Sequence, residues 1–159
     1  MRWHWILCLA FVGAATPALG EEAPPDKAPT FRVDHHLFGA RTLADARGRC
    51  QAPKGQEIKV WYVAGFPAGL GRFESCTVIS SPEVRGDVLV GLRIVGPAGI
   101  LQEVEGALDL GTAGRGVQTV AWEGLELPEA GAYFLEVEVD GQQVARLPMR
   151  VEVRKAKAR

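Results

Sequence analysis

The stretch from residue 127 to residue 153, LPEAGAYFLEVEVDGQQVARLPMRVEV, admits few folds. Tyr133, Leu135, Val137 and Val139 alternate with Phe134, Glu136, Glu138 and Asp140. That is the period of two a strand needs to bury one face and wet the other. Asp140-Gly141 supplies the reversal, because such a pair tolerates the positive φ of a tight turn. On the return, Leu147, Met149, Val151 and Val153 share one face, and Arg146, Arg150 and Glu152 share the other. A two-residue loop at Asp140-Gly141 sets Leu135 against Arg146 and mismatches the two faces. A three-residue loop, Val139-Asp140-Gly141, pairs Tyr133 with Leu147 and matches them. The parity therefore predicts a type I turn with Gly141 left-handed and a G1 bulge.

The rest of the chain has the same punctuation. Nineteen glycines and ten prolines fall between short apolar runs, as in an all-β domain with many turns. Strands are expected within residues 31–38, 57–65, 72–80, 87–95, 100–110 and 117–122. In the second of these, Ile58, Val60 and Tyr62 oppose Trp61 and Val63, so both sides are expected to be partly covered. With the final hairpin this makes about eight short strands, and the reading is a single antiparallel β-sandwich spanning 31–153. Eighteen basic residues against nineteen acidic give a net charge of −1, which offers no basic field for nucleic acid.

The first twenty residues read as a cleavable secretory signal. Arg2 gives a positive start, residues 5–15 are apolar, and Ala18-Leu19-Gly20 is a small-residue cleavage context. The run is short of the about 20 apolar residues of a bilayer span, an uncleaved anchor being the alternative. Residues 21–30, EEAPPDKAPT, read as a disordered spacer, and 154–159 as a basic tail. The chain is thus expected to be exported, to the periplasm or beyond, with no transmembrane span after cleavage. Losing Cys8 with the signal leaves Cys50 and Cys76, which an oxidising compartment pairs as a disulfide; two buried free thiols are the rival reading.

Residues 125–135, LELPEAGAYFL, resemble the corner before the penultimate strand of immunoglobulin-like and fibronectin-like modules. The tail of the chain is also similar to uncharacterised bacterial exported proteins that end in Gly-x-Tyr, an alternating strand, Asp-Gly and a last strand. The resemblance implies an immunoglobulin-like sandwich in which Gly131 opens the corner and the Tyr133 hydroxyl bonds back to its backbone. The Cys–Trp–Cys arrangement of antibody domains is not reproduced, since Tyr133 has no Cys two residues later. The resemblance carries no activity.

Chemistry is sparse. The histidines of the expected mature chain, His35 and His36, follow Asp34, and neighbours on a strand point to opposite faces. With Asp34 or Met149 they make a short ligand list for copper or zinc, against a reading as solvated edge residues. Ser75, Ser80 and Ser81 lie in no nucleophile elbow. Glu103 with Glu105, and Glu136 with Glu138, read as the wet side of strands. Residues 111–116, GTAGRG, lack the Gly-Lys-Ser/Thr ending of a phosphate loop. Trp61, Phe66 and Trp122 are either core or an exposed binding row. The reading is a non-catalytic, cofactor-free binding or structural module for a protein or envelope component. The alternatives are a small metal-binding protein using Asp34-His35-His36 and a carbohydrate-binding module using the aromatics.

Overall fold

The structure, a computed structural model, describes residues 28–154. The expected signal segment, most of the spacer and residues 155–159 of the basic tail lie outside the described residues. Within them every regular element is a strand. In chain order these are β1 (Arg32–Gly39), β2 (Leu43–Ala44), β3 (Cys50–Gln51), β4 (Trp61–Val63), β5 (Ala68–Gly69), β6 (Phe73–Ser80) and β7 (Asp87–Gly96). They continue as β8 (Gly99–Asp109), β9 (Arg115–Trp122), β10 (Glu126–Leu127), β11 (Tyr133–Val139), β12 (Gln142–Met149) and β13 (Val151–Val153). One sheet runs β1-β6-β9 and a larger one β12-β11-β7-β8; three two-stranded pairs complete the set. Every pairing is antiparallel except β13 with β4, which is parallel, so the expectation of an antiparallel body is corrected at that one place. No helix among the described residues is long and apolar enough to cross a membrane.

The alternation in β11 does what its period dictates. Tyr133, Leu135, Val137 and Val139 are buried, and they join Val88, Val90, Leu92 and Ile94 of β7 in one core. Phe73 and Ile79 of β6 and Trp122 of β9 enter the same core, so the inner faces of the two sheets meet there. A side chain of this size removed from water contributes about 2 kcal/mol, which makes this cluster the main stabilising element.

β6 is buried on both faces, because its second face has its own cover. Cys76 and Val78 project away from the main core into a small cluster with Cys50, Leu37 and Val117. Cys50 and Cys76 form a disulfide, which fastens the segment containing β2 and β3 over that face.

Two local readings are corrected. The final hairpin closes with a two-residue loop: β11 ends at Val139, β12 begins at Gln142, and Asp140 and Gly141 have φ of 47° and 78°. Positive φ at both centres is the type I′ signature, whose twist suits an antiparallel pair better than a type I turn does. The parity conflict is real and is solved elsewhere. An extra residue, Val144, sits opposite the Val137–Glu138 step, so Leu135 pairs with Leu147 and Tyr133 with Met149. The second correction concerns residues 57–65, which are not one strand. Ile58 N–H donates to Phe38 O, whereas Trp61 N–H donates to Arg150 O, so the segment changes partner midway. Trp61 and Val63 are buried, and on the opposite side Ile58 and Val60 are half-buried while Tyr62 is exposed, so both sides are partly covered.

Candidate functional site

β1 has a ladder partner on one side, β6. Its other edge is tied at the far end, where Ala40 N–H donates to Gln56 O, and Ile58 N–H to Phe38 O. Ahead of that point the edge opens on a cleft of about 600 Å³. Residues 33–38 form one wall, Glu57–Lys59 and Trp61 another, and Leu147, Pro148 and Arg150 the third. Pro148 lies on β12, the outermost strand of the larger sheet, where a missing N–H interrupts no ladder. The cleft thus separates two sheet edges, with apolar material at its base and Asp34, Glu57, Lys59 and Arg150 at its rim.

The backbone is irregular where the histidines lie. A bulge between Val33 and His35 leaves Asp34 as the extra residue. His35 then stands opposite Val78, in the outward row, and His36 opposite Thr77, in the inward one. His36 Nδ1 is 3.1 Å from Thr77 Oγ1, and its ring meets Phe38 edge-on at 4.4 Å. Phe38 meets Trp61 at 4.8 Å, and Trp61 meets Phe73 at 5.4 Å. The imidazole therefore caps a file of rings leading into the core. Its Nε2 is buried and has no partner among the described residues.

The His36 pKa is lowered from 6.5 to about 4, first by burial and second by the neighbouring His35, with a main-chain hydrogen bond at Cys76 opposing both. At neutral pH the ring is uncharged. The unfolded chain holds the extra proton more tightly between these two values, so His36 favours the folded state above pH 6.5 and loses that contribution as pH falls toward 4. The loss should amount to about 2 kcal/mol once partial solvent access is allowed for. Denaturant melts of the parent and of His36→Phe between pH 4 and 7 check this: the variant should show the shallower decline. Parallel slopes would show that His36 is not the titrating group.

Among the described residues, no three of His, Cys, Asp or Glu come together in a way that could hold a metal ion. Met149 is buried beside Tyr133. The aromatics do not form a row on the surface either. Trp61 and Trp122 are 8% and 0% exposed, and Phe66 is half-buried against the same core. Of the two readings of Trp61 and Trp122, core or exposed row, the structure has the core: both rings pack against Phe73, Trp61 edge-on and Trp122 stacked. Tyr133 hydroxyl donates to Glu129 O across the corner. A Cβ on Gly131 would overlap the Pro97 ring, which is why that corner takes glycine. Glu103 and Glu138 both bond Arg93, at 2.5 and 2.6 Å, and Glu136 pairs with Arg146 at 3.3 Å. Such half-exposed pairs are screened by solvent and serve solubility more than stability.

The cleft is the feature that sequence reasoning missed. Its walls come from three segments far apart in the chain, and only Pro148, inside an otherwise alternating strand, signalled an edge. No protein-family model matches the chain, and no curated protein matches it.

Proposed function

We propose that this chain is an exported, non-catalytic β-sandwich of immunoglobulin-like or fibronectin-like topology that binds an extended segment of another protein or envelope component. The sheet orders β1-β6-β9 and β12-β11-β7-β8, and the Tyr133 bond across its corner, support the topology. The Cys50–Cys76 disulfide supports an oxidising destination. One observation carries the binding mode: on the side away from β6, the edge of β1 ahead of Phe38 faces a cleft of about 600 Å³ and has no ladder partner among the described residues. Main-chain bonds to that edge would supply affinity, and Ile58, Leu147 and Pro148 would read alternate side chains of the guest.

The test is to capture envelope partners with the full chain as bait and follow hydrogen exchange in the complex. Protection should concentrate in the amides of residues 32–37, and Leu147→Arg should weaken capture at least tenfold. Protection confined to the loops at the ends of the strands would move the binding surface elsewhere and reject strand addition.

A further inference from the structure

We propose that the outward face of the β1-β6-β9 sheet carries an anion site in which Arg32, Arg85 and Arg115 hold the phosphate-type oxyanion of a ligand. The register builds it. Arg32 and Arg115 both stand opposite Ser80, one on each side, which places their strands about 10 Å apart across β6. The bulge at Asp34 keeps Arg32 on this face together with His35, although the two are three residues apart. Arg85 enters from the Ser81–Gly86 loop. Its Nη1 is held by Ser81 O at 3.1 Å and Val84 O at 2.7 Å, and its guanidinium carbon lies 2.9 Å from where a Cβ on Gly114 would sit. Gly114 has φ +66° and bonds Ser81 N–H through its carbonyl, so glycine is needed there both for the turn and to leave Arg85 its place.

The charge on this surface is only partly answered. Asp34 pairs with Arg32 at 2.8 Å and with Arg115, through Nε, at 3.4 Å. Arg85 has no carboxylate within ion-pair reach among the described residues, only carbonyl oxygens. Glu83 is engaged by Ser81 Oγ at 3.2 Å and by Thr30 N–H at 3.1 Å. Between the three arginines lies a hollow of about 350 Å³, also lined by Asp34, Ser80 and Ser81, with Ser80 Oγ accepting from Arg32 Nε and donating to Asp34, each at 3.0 Å. Arg115 is shared with a neighbouring hollow of about 300 Å³ that holds His35, Arg49 and Gln51, where Arg49 is tied to Asp45 at 2.8 Å. One guanidinium fixed by carbonyls, beside two held through Nε on Asp34, leaves N–H groups that suit a tetrahedral oxyanion able to take paired bonds from a guanidinium fork. The site uses the outward face of β1 and shares Asp34 with the rim of the strand-addition cleft, which uses the open edge and inward face.

The experiment is an NMR titration of the full chain at low ionic strength with inorganic phosphate, and separately with dihexanoyl-phosphatidic acid. Phosphate should shift the amides of residues 81–85 and 113–115 saturably. Arg85→Gln, which breaks no ion pair among the described residues, should weaken that binding at least tenfold; Arg85→Lys, keeping a point charge, should weaken it less. Tighter binding of the lipid at the same amides assigns a lipid headgroup as the source, and equal binding assigns free phosphate. Shifts that never saturate, that chloride reproduces at equal ionic strength, or that survive Arg85→Gln unchanged would overturn the site.

Discussion

Trp122→Ala is expected to destabilise the fold by about 4 kcal/mol, the largest effect of any single side-chain truncation considered. Trp122 is fully buried, lies stacked on Phe73 at 6.5 Å and 21°, and donates Nε1–H to Ser75 Oγ at 2.9 Å. Alanine removes the ring, leaves a cavity that β6 and β9 cannot collapse into, and strips a fully buried hydroxyl of its donor. Trp122→Phe separates these contributions: it keeps most of the packing, loses the hydrogen bond, and should cost about 2 kcal/mol. Guanidinium unfolding of both variants measures the difference. A loss below about 1 kcal/mol for the alanine variant would mean that the ring is not in the core.

Paired replacement of Cys50 and Cys76 by serine is expected to cost about 3 kcal/mol. The bridge joins residues 26 apart in sequence. Closing a loop of that size restrains the unfolded chain by about 3 kcal/mol in the chain-entropy account. A second cost follows from position. The bridge holds the β2–β3 segment over Cys76 and Val78, so breaking it loosens the cover over a face of β6 that is flanked by Leu37 and Val117. The half-wet side of β11 faces no such loss, because Glu136 and Glu138 already tolerate water there. The unfolding midpoint with and without strong reductant measures the first contribution, and added protection from exchange at residues 76–78 in the oxidised form reports the second. Because Cys50 and Cys76 are 4% and 0% exposed, reductant should act only on molecules that have opened. Equal midpoints under both conditions would contradict a closed bridge.

What could be read from the sequence, and what could not, follows from where information about pairing resides. The alternation of Tyr133, Leu135, Val137 and Val139 was legible because burial of one face writes a period of two into a strand. The bulge at Val144 was not, since an extra apolar residue in a strand of apolar and polar residues leaves no mark of its own. Parity showed that something had to give in that hairpin, and the turn looked the natural place. Residues 57–65 misled for a different reason: their apolar pattern is that of a strand, but it says nothing about the change of partner between Ile58 and Trp61. Cys50 and Cys76 were legible as a pair by count. The arginine cluster was not, because Arg32, Arg85 and Arg115 come together only through the register of β1, β6 and β9. The same holds for the cleft, whose apolar base and charged rim belong to three separated segments.

The parallel clasp between Val151–Val153 and Trp61–Val63 joins parts of the chain made ninety residues apart. Until the later part emerges, Trp61 has no main-chain acceptor from Arg150, and one bank of the channel beside His36 is missing. A nascent chain therefore exposes a bare ribbon edge that a finished one partly shields. During that interval the same edge invites pairing with a neighbouring copy, which makes chaperoning most needed before the last dozen or so described residues arrive.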